Sequence, residues 1–417
     1  MNVRTNPHRL SYKLLIILFS FTIVGFSLLP VCNYFRNHTK DYGKYYQIGQ
    51  ITLHGGDIYF KNKGETFQFM YPPTAAVLLA PLSALGLLPL IVILGFTNSA
   101  SWIVSVFLSV YLTTGKTLQQ HPLLYLVPTV CCMPYVWNTY LLGQPHLLLL
   151  VCMLGAFVSL RMKNEWCAGM LIAFAAAIKA FLILAIVYLV YRRHWKATLS
   201  TLAFLFFFLV LLPVPLRGFQ RNWQDIRTWT NGMALHYEAD SIAQRPSRGY
   251  SWKNQSLIAV TKRLLRPVRA FQSKSKSYYV NFVTLKFKYV NVIIVIIGFC
   301  LFYVTSMPHY AQRTAHTDLI EYAMLLILIL IFTPLSFTYF YIWLLYPLTV
   351  AFNILLTARN PSTGRNAILI WFSVCLILLG FMFPVPGFDW FEAIGNTFWA
   401  CVLLLGGLGW KLRRLST

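Results

Sequence analysis

The sequence predicts an all-α, polytopic membrane protein, and three observations lead there. Hydrophobic residues make up 58% of the 417 positions and charged residues only 11%, with a mean hydropathy of +0.61. That is more apolar material than a soluble core of this length could bury. The apolar residues also gather into runs long enough to cross the ~30 Å hydrocarbon core of a bilayer. Finally, almost all of the 35 Lys and Arg fall between those runs. A formal net charge of +24 therefore describes loops that orient the chain and meet anionic lipid, not a nucleic-acid surface.

In chain order the runs are 12–32, 71–87, 90–113, 122–141, 144–161, 167–191, 197–216, 289–306, 320–335, 338–357, 367–385 and 395–410. The first is too long for a signal peptide and no small-residue cleavage site ends it, so it reads as a membrane span. About twelve transmembrane helices put both termini on one side. The short basic connections 191–196, 308–313 and 357–365 and the tail "KLRRLST" share that side, which is then the cytoplasm. Two long loops, 33–70 and 217–288, are left on the external face. The second carries fourteen Lys and Arg against three Asp and Glu, which long loops tolerate because they translocate largely regardless of charge. Over 114–166 a second arrangement stays open. A half-membrane hairpin around Lys179 would move "RMKNEW" from the external side to the internal one. The chain shows no repeat relating its halves and reads as one integral-membrane domain over residues 1–417.

The eight cysteines lie mostly inside apolar runs, without C-x-x-C or a His/Cys cluster, so neither a zinc site nor a disulfide framework is expected. No metal ligand set and no cofactor is expected either.

The first external loop holds three of the eleven acidic residues, Asp41, Asp57 and Glu65. In "DYGKYYQIGQI", Tyr42, Tyr45, Tyr46 and Gly49 share one face at helical spacing, which predicts a short helix at the membrane interface. Gly55 and Gly56 can adopt the left-handed backbone that ends it. Pro72 and Pro73 suit the first turn of the next helix. Asp41 then stands at the start of the interfacial helix, either as its cap or as a general base facing chemistry at the surface. Asp57 reads as a turn residue or a second acid. Lys179 is the one cation in the middle of an apolar run, and an intramembrane ammonium marks function unless it snorkels from a bend. Gln144 and His146 read as sugar ligands or as a satisfied helix end. Asn254, Gln255 and Ser256 read as substrate amides or as a helix start. Arg263 lies among Lys262, Arg266 and Arg269 on what could be a lipid-facing helix.

The ordered set D-x-x-x-Y-Y (Asp41, Tyr45, Tyr46), G-G-D-x-Y (Gly55, Gly56, Asp57, Tyr59), F-x-Y-P-P (Phe69, Tyr71, Pro72, Pro73), "LLGQPHLLLL", "AAAIKAFLILAIVYLVYRRHWKA" and "NQSLIAVTKRLL" resembles glycosyltransferase family 87. The likeness runs over roughly residues 12–350. It implies a GT-C-type fold and transfer of a sugar, mannose or a related arabinofuranose, from a polyprenyl-phosphate donor to a glycan or glycolipid acceptor, with inversion. It implies Asp41 as the base, Lys179, Arg263 and Tyr339 at the donor phosphate, and Asp57, Tyr45, Tyr71, Gln144, His146, Asn254 and Gln255 around the sugars. Two departures stand out: Pro145-His146 replaces a segment usually ending in Asn, and "TPLSFTYF" offers Tyr339 where the family often has histidine. The family's usual setting implies the bacterial inner membrane. Two other functions fit a chain of this kind. A lipid-linked-sugar transporter predicts repeats and mid-span acids, whereas the acids here cluster in external loops. A polysaccharide ligase or polymerase would use a large late loop such as 217–288, with its eight arginines and His236.

Overall fold

A computed structural model describes residues 7–59, 69–116, 120–235, 250–273, 276–306, 314–358, 363–380 and 389–416. Glu65 and His236 lie outside them. The described chain is almost wholly helical: α1 (Pro7–Phe35), α2 (Lys40–Leu53), α3 (Pro73–Ala84), α4 (Leu87–Thr114), α5 (Leu123–Leu142), α6 (His146–Arg161), α7 (Glu165–Ile178), α8 (Ala185–Tyr191), α9 (Trp195–Phe206), α10 (Val214–Arg217), α11 (Phe219–Thr230), α12 (Leu257–Leu265), α13 (Phe287–Ser306), α14 (Ala315–Phe332), α15 (Leu345–Thr357), α16 (Thr363–Gly380), α17 (Asp389–Ile394) and α18 (Asn396–Ser416). An antiparallel strand pair, β1 (Phe271–Ser273) and β2 (Lys276–Tyr278), pairs Phe271 with Tyr278. Leu87–Thr114, Trp195–Arg217, Ala315–Phe332 and Thr338–Thr357 are long and apolar enough to cross a membrane. The chain divides into two units, one of residues 16–108 and 137–245, the other of residues 1–15, 109–136 and 246–417.

In the first of these, α2 and α3 pack side by side. A side chain at Gly49 would collide with Ser83, so glycine allows the close approach, and Gln50 Nε2 donates to the Ser83 carbonyl at 2.7 Å. The short helix predicted from the tyrosine spacing is α2, with Tyr42, Tyr45 and Gly49 on its buried face. It stops at Gly55, in the left-handed region at φ 70°. α3 begins at Pro73 as its prolines predict. With twelve residues it is about 18 Å long, too short for the span expected at 71–87.

The run expected at 167–191 is not one helix either. α6 and α7 form an antiparallel pair joined at 162–164, with Asn164 accepting from the Cys167 amide to cap α7. α7 then stops at Lys179, whose backbone is extended (φ −136°, ψ 105°), and a 3-10 turn (Ala180–Leu184) leads into α8. α9 starts beside the start of α7 and runs parallel to it. Ser200 Oγ donates to the Trp166 carbonyl at 2.7 Å, Gly169 leaves room for the Ala197 carbonyl, and Phe174 meets Phe208 at 5.4 Å. Glu165 accepts from the Ala197 amide and contacts His194 Nδ1, both at 3.2 Å. Residues 161–165 and 192–197 are therefore at one end, and the chain reverses at Lys179. This is the hairpin arrangement that the sequence left open.

The other unit packs α14 antiparallel to 338–357, with Tyr346 donating to the Leu319 carbonyl at 2.9 Å. It packs α16 antiparallel to α18 through Trp371, whose Nε1 donates to the Leu403 carbonyl at 2.8 Å. A capping box of Thr314 and Thr317 starts α14, and Ser256 caps α12.

Candidate active site

Four interruptions of helix meet at one place in the first unit. They are the start of α2, the residue before Pro72-Pro73, the α5–α6 break at 143–145, and the α7 break at Lys179. Non-helical backbone at membrane depth is tolerated only where protein or a water-filled cavity surrounds it, so such a meeting of breaks is where a polar site can stand. Gly143 makes the α5–α6 break possible in two ways. Its φ is 73°, and the space a side chain would need is filled by the Tyr42 ring. Tyr42 in turn donates to the Tyr140 carbonyl at 2.8 Å, which fixes α2 against the break.

Gln144, the next residue, is the hub. Its Nε2 donates to Asp41 Oδ2 at 2.7 Å, while its Oε1 accepts from Lys179 Nζ at 3.0 Å and from the Tyr71 hydroxyl at 2.8 Å. The side chain is buried, and only this orientation of the amide faces its nitrogen to a carboxylate and its oxygen to two donors. Because Tyr71 donates to Gln144, the Tyr45 hydroxyl donates to Tyr71 across their 3.0 Å contact. Tyr45 lies one turn after Asp41 on α2. Lys179 Nζ also sits 4.8 Å from the centre of the Tyr71 ring and 3.4 Å from His146 Nε2. An ammonium only donates, so Nε2 is the accepting nitrogen and His146 is neutral. Phe181 stacks on the His146 ring at 6.5 Å.

Asp41 thus does not cap α2. Thr39 occupies the cap position without a side-chain bond, and Asp41 stands in the first turn, where the helix dipole favours its charge. Its carboxylate and the Lys179 ammonium bond to opposite ends of one amide, that of Gln144. The arrangement holds an anionic acceptor of protons and a cation a few ångströms apart. Gly-Gly-Asp is the turn after α2: Asp57 Oδ1 accepts from the Tyr59 amide at 2.9 Å and lies 3.6 Å from Arg221, with the Asp57 side chain 57% exposed.

The remaining predicted residues belong to the other unit and bond chiefly to backbone. Asn254 Nδ2 donates to the Pro334 carbonyl at 2.9 Å and its Oδ1 accepts from the Ser336 amide at 3.0 Å. Gln255 Nε2 donates to the carbonyls of Trp252 and Glu392. Arg263 is wholly buried, with Nε on the Ala393 carbonyl at 2.8 Å and Nη1 on those of Ser251 and Asn254 at 2.8 and 2.7 Å. Burial pushes its guanidinium down to about 9. Tyr339 is half-buried between Phe337 and Phe340. Among the described residues no three His, Cys, Asp or Glu side chains gather as a metal site would need. Sequence reading passed over Tyr59 and Phe181 as functional residues. Tyr59 stands in the quoted G-G-D-x-Y and could have been found, whereas nothing in an apolar run singles out Phe181.

Comparison with known proteins finds no match among curated proteins and none among solved structures. A family model does match, over residues 69–334, which is more than half of the chain and includes Tyr71, Gln144, His146, Lys179, Asn254, Gln255 and Arg263 but not Asp41. With its apolar helices and that match, this integral membrane protein belongs to glycosyltransferase family 87.

Proposed function

We propose that the chain transfers a sugar, mannose first among the candidates, from a polyprenyl-phosphate donor to a glycan or glycolipid acceptor on the external face of a bacterial inner membrane. Asp41 takes the proton of the acceptor hydroxyl as its oxygen attacks the anomeric carbon. The bond from that carbon to the phosphate oxygen breaks on the opposite face, the configuration inverts, and polyprenyl phosphate leaves with the bonding pair. Lys179 stabilises the charge developing on that phosphate. Phosphate leaves without a proton from the protein, so one carboxylate is enough. Tyr45, Tyr71, Gln144 and His146 surround the reacting sugar.

The observation that carries this reading is the Asp41–Gln144–Lys179 connection. It supplies a base and a cation to the two ends of one displacement, in a region of chain breaks. Sidedness supports it as well. Arg161, Lys163, Arg192, Arg193 and Lys196 lie on the segments that meet at the opposite end of α6, α7 and α9, and by the positive-inside rule that end is cytoplasmic. The Asp41 end then faces outward. The experiment is transfer by the purified protein from synthetic polyprenyl-phosphate mannose and, separately, from polyprenyl-phosphate arabinofuranose, beside glycan analysis of a deletion strain. Failure with both donors and an unchanged glycan would remove the reading.

A further inference from the structure

The acidic and basic residues just outside the site form a second cluster, in the first unit, to which the proposed mechanism assigns no part. Arg217 ends α10, and its side chain is buried. Its Nε and Nη2 donate to Asp225 Oδ2 at 2.9 and 2.6 Å, and its Nη1 donates to the Gly56 carbonyl at 2.8 Å. Gly218, at φ 71°, turns the chain between α10 and α11 so that Asp225 comes back over Arg217. Arg221, on the same face of α11, stands 3.8 Å from Asp225 and 3.6 Å from Asp57. One turn beyond Asp225, Trp229 Nε1 donates to the Met70 carbonyl at 3.2 Å.

One attachment point, Met70, immediately precedes Tyr71, the tyrosine that holds the hub, and the other, Gly56, reaches it through Tyr59. The turn begun at Gly56 continues to Tyr59, whose hydroxyl donates to the Tyr71 carbonyl at 2.7 Å. Tyr71 donates from its own hydroxyl to Gln144. The backbone of Tyr71 is therefore fixed from two directions, by Tyr59 on its own carbonyl and by Trp229 on the carbonyl before it. We propose that the Arg217–Asp225 pair with Tyr59 and Trp229 is a positioning clamp, through which the second external segment sets Tyr71 and hence the orientation of Gln144 between Asp41 and Lys179.

Energetics supports a positioning role over a purely stabilising one. A buried ion pair contributes little more than an apolar pair of equal volume would, because desolvation offsets the attraction. What an apolar pair could not supply is the third guanidinium bond to Gly56. A planar fork with donors in several directions can hold a carboxylate and a carbonyl at once, and a lysine ammonium cannot reproduce that geometry. The cluster also explains Asp57. It is one of four alternating charges that join the turn to α11.

The clamp as a positioning device rests on the proposed transfer reaction, and its physical attachment does not, so the test has two arms. Tyr59→Phe removes one hydroxyl and keeps the ring in place. In transfer from polyprenyl-phosphate mannose it should lower kcat about tenfold, the worth of roughly one hydrogen bond, with donor KM unchanged and the thermal midpoint lower by only a few degrees. An unchanged kcat, or a loss matched by the fraction unfolded, would overturn the positioning role. In the second arm, hydrogen exchange is followed in Arg217→Lys and Trp229→Phe. The amides of Tyr59, Met70 and Tyr71 should exchange at least about tenfold faster while those of α6 and α7 keep their rates. No change at those amides would overturn the clamp whatever reaction the protein performs. A wild type inactive with both donors, but with the exchange result obtained, would refute the reaction and leave the attachment standing.

Discussion

Replacing Asp41 by asparagine separates chemistry from structure at the centre of the site. Asp41 Oδ2 accepts a 2.7 Å bond from Gln144 Nε2, and an asparagine carbonyl oxygen can accept the same bond in the same place. The change trades a charge-assisted hydrogen bond for a neutral one, a cost of about 1 kcal/mol. It also removes one favourable charge from the first turn of α2, worth about 0.3–1 kcal/mol. Together these leave a folded protein of ordinary stability. The chemical step is affected far more. A positioned general base contributes about 10²–10⁴-fold, or roughly 3–5 kcal/mol of barrier, and asparagine cannot take the acceptor proton. Asp41→Asn should therefore lose about two to four orders of magnitude in kcat. Its thermal midpoint should fall by only a few degrees and donor binding should persist. The assay is transfer from a synthetic polyprenyl-phosphate sugar by protein purified in detergent, with thermal unfolding measured on the same sample. Turnover within a factor of two of wild type, in a sample shown to be folded, would refute Asp41 as the base. The choice would then pass to Asp57, the other described acid of the loop.

Lys179→Met should express and fold, yet raise the donor KM or lower kcat at least about tenfold, because the phosphate loses its cation; equal kinetics would exclude Lys179 from the donor site. In a cysteine-free background, single cysteines at 163 and 193 should be labelled only from the cytoplasm and one at 54 only from outside; labelling of 163 from outside would break the reversal at Lys179. Transfer should survive EDTA, and rescue of a chelated protein by Mg²⁺ or Mn²⁺ would reveal a metal requirement. Arg263→Met should cost several kcal/mol of stability, since buried carbonyls left without donors cost about 1–3 kcal/mol each. Well-folded Arg263→Met protein with a raised donor KM would instead place Arg263 at the phosphate.

Much of this was legible in local sequence chemistry. The tyrosine spacing marked α2 because a helix with one buried face repeats it every three or four residues, and Gly55 and Pro73 marked its end and the next beginning because few other residues suit those backbones. The reversal at Lys179 was only partly legible. The run 167–191 contains no proline, and a hydropathy window sums apolarity without recording direction. The lone lysine was the sole sign that the chain turns there. Least legible was the division among polar residues. Asp41, Gln144, Lys179, Asn254, Gln255 and Arg263 look alike as polar groups near apolar runs, and a sequence does not distinguish a partner carbonyl on the protein from a hydroxyl on a substrate.

The structure separates them by what they bond to. Asn254, Gln255 and Arg263 bond mainly to backbone groups freed where helices stop, near Pro334–Ser336 and at Glu392–Ala393. Those bonds close open valences of the fold, and exchanging them for a ligand would leave buried carbonyls unsatisfied. Asp41, Gln144, Lys179 and Tyr71 bond to one another through side chains. A side-chain network can rotate toward an arriving hydroxyl or phosphate while the backbone stays paired. Binding there costs a rearrangement of rotamers, whereas binding at Arg263 costs a piece of the fold, and this difference in cost is the physical reason for assigning the chemistry to Asp41 and Lys179.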